Sequence, residues 1–158
     1  MTEPSRYFDD LEIGETGVSE ARTVTLDEIV EFAQRYDPQY FHTEPEAARK
    51  HPQFGEVVAS GIHILAIWRQ LDHALSGDIR WICGIEWKQL RWNQPLRAGD
   101  TVRARAELLG KRRSDSRPDR GIVELRYSLI NQDGDDVFYC LSTNLVERRT
   151  HDQPANGQ

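Results

Sequence analysis

The sequence has few cysteines, no long apolar run and no excess of basic residues. Its 158 residues include two cysteines, 20 Lys or Arg and 26 Asp or Glu, giving a net charge of −6. A disulfide framework or a cysteine-based metal site needs more cysteines at closer spacing, and nucleic-acid binders usually carry a basic patch. No apolar run approaches the roughly 20 residues that cross a bilayer, and no apolar core follows the first six residues as in a secretory signal. The sequence therefore predicts a cytoplasmic protein that binds neither nucleic acid nor membranes.

The chain is predicted to form one domain. Its length allows a sizeable core, and 38% of its residues are hydrophobic. We place the domain at residues 1–147, and we expect the polar segment 148–158 to be a disordered tail. Cys83 and Cys140 fall in apolar, strand-like stretches, so we expect both to be buried, reduced thiols.

A helix with a defined start and end lies near the N-terminus. Thr25 and Glu28 form a capping box, apolar residues then recur at helical spacing, and Pro38 disfavours helical geometry at Asp37. A short strand is predicted before this helix, at about Val18 to Val24, and a short helix after it, from Glu44 to Lys50.

The most apolar helix begins after Ser60, a good N-cap residue, and ends near Ser76. Its first two turns are apolar on almost every side, which is typical of a buried helix. After Gly77 the hydrophobic period changes to two, and four strands follow, with a hairpin signal at Asp133-Gly134.

Helices grouped before antiparallel strands indicate the α+β class. We predict a long central helix wrapped by a curved antiparallel sheet. Strand edges remain in such a sheet, and a homodimer would cover one of them. The four tryptophans fall where packing in the core or an interface is expected: Trp68, Trp81, Trp87 and Trp92.

Three residues could form a site for acid–base chemistry. Asp37 and His42 lie where the chain leaves the first helix, and such a pair can remove a proton from water and return one. Gly61 opens the buried helix, where a backbone N–H can stabilise an oxyanion. Spacing alone also allows Asp37 to be a simple capping residue and His42 a surface residue.

The segments Arg35 to Ala48 and Val57 to His63 resemble the signature of MaoC-like dehydratases, which include R-specific enoyl-CoA hydratases. The segment Asn93 to Val102 resembles a later turn of the same family. The resemblance spans roughly residues 7 to 147 and implies a hot-dog fold, usually dimeric, with the site near the dimer interface.

The resemblance also implies a function. Asp37 and His42 would hold the water, and the Gly61 amide would bind the thioester oxygen. The enzyme would be a lyase that reversibly hydrates a trans-2-enoyl-CoA to a 3-hydroxyacyl-CoA, as in fatty acid metabolism, with no metal or redox cofactor. The chain departs from well-known members at Gln39, where they have Asn, and at Tyr40, where they have Pro.

Four more residues are candidates for substrate binding. Tyr40 and Phe41 could wall an acyl channel or belong to the core. Ser60 could touch the substrate in addition to capping its helix, and His63 could line the pocket or pack in the interior. A hot-dog thioesterase and a non-catalytic subunit of a hetero-oligomer remain as alternatives. Ala66, where some family members have serine, is one reason for the second.

Overall fold

Helices precede the long strands along the chain, as the hydrophobic pattern predicts. The structure is a computed structural model that describes residues 3–149. After a short 3-10 helix at Phe8–Asp10, the elements are β1 (Thr16–Val18), β2 (Arg22–Thr23), α1 (Leu26–Tyr36), α2 (Tyr40–Thr43), α3 (Pro45–Ala48), α4 (Gly61–Ser76), β3 (Trp81–Trp92), β4 (Thr101–Arg113), β5 (Arg120–Ile130) and β6 (Asp136–Glu147).

The strands form one antiparallel sheet in the order β1-β4-β5-β6-β3, and β2 also pairs with β4. The central helix α4 packs against this sheet. Trp68 of α4 is fully buried and contacts the rings of Tyr127 on β5 and Phe138 on β6, with ring centroids 4.9 and 5.1 Å apart. The predicted α+β architecture, a central helix against an antiparallel sheet, is confirmed.

The caps of both long helices follow the sequence prediction. The Thr25 hydroxyl accepts a hydrogen bond from the Glu28 amide at the start of α1, and the Ser60 hydroxyl accepts one from the His63 amide at the start of α4. The α1 helix ends at Tyr36, directly before Asp37. Side-chain caps satisfy N–H groups that a helix leaves unpaired at its start, so they fix where each helix begins.

Several local predictions differ from the structure. The lead strand is split into β1 and β2, and between them Ser19 exchanges hydrogen bonds with the Ala104 backbone. The short helix covers only Pro45–Ala48, and the extra helix α2 was not predicted.

Cys83 is exposed, so the prediction of two buried thiols is wrong for it, whereas Cys140 is buried and burial raises the pKa of its thiol to about 12. Trp87 and Trp92 are also exposed, at 46% and 48%. All three residues lie on β3, the edge strand, which has a neighbour on one side only within residues 3–149.

The predicted tail, 148–158, falls outside the described residues except for its first two. Arg148 donates its backbone N–H to the Asp119 carbonyl, and Arg149 forms an ion pair with Asp10 at 2.6 Å. None of the helices within residues 3–149 combines the length and the apolar content needed to span a bilayer.

Candidate active site

Asp37 and His42 are brought together by a helix end and a single helical turn. Asp37 caps the C-terminus of α1, where its N–H bonds to the Ala33 carbonyl at 2.9 Å. The α2 turn then places the His42 Nε2 atom 3.8 Å from the Asp37 Oδ2 atom. The His42 side chain is 8% exposed and that of Asp37 is 26% exposed. This separation exceeds a direct hydrogen bond, and catalytic contacts often lengthen in a ligand-free site.

The tautomer of His42 follows from its second contact. Its Nδ1 atom lies 2.6 Å from the carbonyl oxygen of Val58. A carbonyl can only accept, so Nδ1 carries the proton and donates it. The Nε2 atom is then the ring nitrogen that faces Asp37 and is available for proton transfer.

Gln39 fixes the orientation of the carboxylate. Its Nε2 atom donates to the Asp37 Oδ1 atom at 3.0 Å, which leaves Oδ2 on the side of His42. A hydrogen bond to a charged group contributes more than one between neutral groups. Gln39 therefore has a direct polar contact with the carboxylate of the acid–base pair.

Two hydrogen bonds join this pair to the start of α4. The Val58 carbonyl accepts from His42 Nδ1, and the Val58 amide donates to the Phe41 carbonyl at 3.2 Å. Ala59 then donates to the Leu96 carbonyl at 2.8 Å. Because Gly61 follows Val58 by three residues, the acid–base pair and the helix start belong to one hydrogen-bonded segment.

Gly61 lies against Trp92 of β3. The Trp92 indole donates to the Gly61 carbonyl at 3.1 Å, and a Cβ atom at position 61 would lie 2.9 Å from the indole Cε2 atom. Within residues 3–149, the Gly61 N–H has no hydrogen-bond acceptor. The first N–H groups of a helix carry partial positive charge, so this amide is free to bind an oxygen atom of a ligand.

Sequence comparison identifies the family. The model of the MaoC like domain matches residues 11–129, which is more than half of the chain. The chain belongs to the MaoC-like domain family.

Its relatives agree with this assignment. The chain is similar to the MaoC-like dehydratase from Rhodospirillum rubrum, with 34% identity, a TM-score of 0.85, and coverage of 92% of this chain and 99% of that one. It is 32% identical to the uncharacterized protein YdeM of Bacillus subtilis over 89% of this chain and 99% of YdeM. It is also 31% identical to 3-hydroxyacyl-thioester dehydratase Z of Mycobacterium tuberculosis, over 60% of this chain and 64% of that protein. The fold is the hot-dog fold.

The other site candidates of this MaoC-like chain have different surroundings. Tyr40 is 43% exposed beside the acid–base pair. Phe41 packs against His42 and Phe54, with ring centroids 4.4 and 5.6 Å apart, so it supports the histidine from an aromatic cluster. Ser60 is fully buried and caps α4. A substrate-binding role for these residues stays a prediction.

His63 packs between two helices. It is 5% exposed, and its ring stacks on Phe32 of α1 with centroids 4.4 Å apart. Burial lowers its pKa from the ordinary value of 6.5, and the Glu28 carboxylate opposes this shift in part. Of the two alternatives that the sequence left open for His63, these contacts favour packing in the interior over lining the substrate pocket.

Trp92 was missed as a site residue because strand periodicity suggested core packing. Its partner, Gly61, is about 30 residues away in sequence, so no local pattern links them. The sequence did contain one indication: a glycine at the start of an apolar helix often marks a position where another group approaches the backbone closely.

Proposed function

We propose that this MaoC-like chain is an acyl-thioester hydratase or dehydratase that reversibly adds water to a trans-2-enoyl-CoA to give a 3-hydroxyacyl-CoA. The observation that carries the proposal is the acid–base pair: the His42 Nε2 atom lies 3.8 Å from the Asp37 Oδ2 atom, beside the segment that opens α4. The named relative from M. tuberculosis, a 3-hydroxyacyl-thioester dehydratase, supports the same chemistry.

In the hydration direction, Asp37 and His42 hold a water molecule beside the β-carbon of the enoyl thioester. The water oxygen bonds to this carbon as the pair removes one water proton, and the electrons of the C=C bond shift toward the thioester oxygen. The Gly61 N–H stabilises the resulting enolate oxygen. The pair then delivers one proton to the α-carbon, so water is added across the double bond and the site returns to its starting protonation state.

The first test follows the conjugated absorbance of crotonyl-CoA and longer enoyl-CoAs in the presence of the protein. We expect Asp37→Asn and His42→Ala each to lower kcat by at least about 100-fold, because each removes a group that moves the proton. The matched control is Asp27→Asn, exposed on α1, which should keep the wild-type rate. Activity that survives both site substitutions would exclude this mechanism.

We also propose that the active form is a homodimer built on the β3 edge and that its substrate is an acyl-CoA. Five large hydrophobic residues near this edge and the site are exposed: Ile62, Ile82, Ile85, Trp87 and Trp92. An uncovered edge strand with apolar side chains normally has a partner. A cytoplasmic location is proposed with this function, since CoA esters are intracellular substrates.

A thioesterase is the second candidate, because α4 does carry a buried carboxylate. Asp72 is 1% exposed and lies eleven residues after Gly61, in the fourth turn of the helix. A carboxylate beside the thioester carbon could activate water for hydrolysis. Release of free CoA thiol from saturated acyl-CoAs, detected with a thiol reagent and abolished by Asp72→Asn, would establish this activity in place of hydration.

A further inference from the structure

A cavity of about 310 Å³ lies beside α4, and neither Asp37 nor His42 is among the residues that line it. Its walls come from the third and fourth turns of α4, from β3 and from the facing parts of β5 and β6, and they include Asp72, Trp68, Gly84, Tyr127 and Asn144. Ligand pockets in proteins begin at about 300 Å³, so this cavity can hold a group of several heavy atoms.

The cavity wall contains a buried carboxylate, Asp72, whose charge is balanced by the Arg69 cation. The Asp72 side chain is 2% exposed and forms an ion pair with Arg69, and the Ser76 hydroxyl, which donates to the Asp72 backbone carbonyl at 2.9 Å, lies 3.4 Å from its Oδ1 atom. Burial raises the pKa of the Asp72 carboxyl, and the Arg69 cation opposes this rise. A second carboxylate here would be repelled by Asp72 and an ammonium by Arg69, so the wall favours an uncharged occupant.

The same wall contains two N–H groups that have no acceptor within residues 3–149. They are Trp68 Nε1 and Asn144 Nδ2, and both atoms are buried. Ser142 donates to the Asn144 Oδ1 atom at 3.2 Å, which accounts for the oxygen end of this amide and leaves the NH₂ end without a partner. Buried donors are normally paired, and an unpaired one destabilises the folded chain. A ligand oxygen would satisfy them.

The cavity and the proposed catalytic site share one helix–strand face. Trp92 packs on Gly61 at one end of β3, and Trp87 contacts Trp68 further along, with ring centroids 5.4 Å apart. Along α4, Trp68 and Asp72 are about 10 and 16 Å from Gly61, at 1.5 Å per residue. An extended chain advances about 1.2 Å per bond, so roughly nine to fourteen bonds cover this distance.

We propose that this cavity binds the far end of the acyl group and selects an acyl chain of medium length that carries an uncharged oxygen function, a hydroxyl or a keto group, near that end. A hydroxyl can donate to the Asp72 carboxylate while it accepts from Trp68 or Asn144, and a keto oxygen can accept from both donors. The indole rings of Trp68 and Trp87 supply the apolar wall for the preceding methylene groups. This inference rests on the proposed function only for the position of the thioester.

The test is a binding measurement that needs no turnover. Saturated acyl-CoAs of roughly ten to twelve carbons, with and without a terminal hydroxyl, are titrated into the full chain by calorimetry; they have no double bond to hydrate. We expect the hydroxylated ester to bind at least about tenfold more tightly, which corresponds to one recovered hydrogen bond to a buried donor. Asn144→Leu should remove most of this preference, and Trp68→Phe, which deletes only the N–H donor and part of the ring, should reduce it.

The matched control is Thr143→Val, because residue 143 precedes Asn144 on β6 and its side chain points to the opposite face of the sheet and does not line the cavity. It should keep the wild-type preference. Equal affinities of the two esters for the wild type, or an unchanged preference in Asn144→Leu, would overturn the proposal and assign the cavity to water or to a second copy of the chain. Crotonyl-CoA hydration that depends on Asp37 and His42 would in that case still support the proposed function. Conversely, a hydroxyl preference without any hydration would support the cavity and reject the hydratase.

Discussion

At the scale of single residues, the orientation of His42 depends on one backbone carbonyl, that of Val58. The 2.6 Å contact fixes the proton on Nδ1 and leaves Nε2 to face Asp37. Asp37 is held in turn by Gln39, through a side-chain contact within the motif. The residue types and the spacing of the pair could be recognised from sequence. The tautomer could not, because it depends on a carbonyl 16 residues away whose direction only the folded chain sets.

Gly61 provides a prediction at this scale. A Cβ atom at position 61 would overlap the Trp92 indole, so we expect Gly61→Ala to lower the free energy of unfolding by about 1–2 kcal/mol, as overpacking does. Displacing the helix start should also lower kcat/KM by about 10- to 100-fold. Urea denaturation and the crotonyl-CoA assay measure the two effects.

The control for this substitution is Gly110→Ala on β4, where the added Cβ would meet its nearest neighbour at an ordinary 3.7 Å. In a Trp92→Ala background the stability cost of Gly61→Ala should nearly vanish, because the clashing ring is absent. A cost that is the same in both backgrounds would show that Trp92 is not the reason for the glycine.

At the scale of elements, the long helices and strands were predictable because their signals are local. Capping residues and hydrophobic period define α1, α4 and the four long strands. The α2 turn lacks such a signal, since its four residues include no side-chain cap, and Val58 holds it from another part of the chain. The exposure of β3 was also unpredictable, because alternating residues look the same whether they face the core or an interface.

The contact between α1 and α4 leads to a pH-dependent prediction. His63 of α4 stacks on Phe32 of α1, and burial lowers its pKa below 6.5. The unfolded chain therefore binds this proton more readily than the folded chain does. Stability should fall as the pH drops below about 6.5 and stop falling once the folded-state pKa is passed.

The substitution that tests this is His63→Phe, which keeps an aromatic ring against Phe32 and removes the titrating group. The difference in urea midpoint between this variant and the wild type should grow in favour of the variant between about pH 7 and pH 5. His73→Gln, an exposed histidine of the same helix, serves as the control. A difference that stays constant with pH would rule out His63 as the source.

At the scale of the whole molecule, the two edges of the sheet differ in length. Short β1 and β2 cover β4 at one edge, whereas β3 at the other edge pairs only with β6 within residues 3–149. Ile85 and Trp87 on β3 are exposed, whereas the apolar residues of the core are buried. The sequence predicted a covered edge from general reasoning about sheets, but the particular strand follows only from the sheet order.

The last prediction concerns this edge. If two copies join along β3, the wild type should be a dimer at micromolar concentration, and Ile85→Lys should make it monomeric, because a buried unpaired ammonium group is strongly unfavourable at an interface. Light scattering coupled to size exclusion measures the mass directly.

Ile13→Lys is the matched control, since Ile13 is 63% exposed in the lead-in segment, away from β3, and this variant should stay dimeric. A wild-type monomer, or a dimer that Ile85→Lys leaves intact, would place the interface elsewhere.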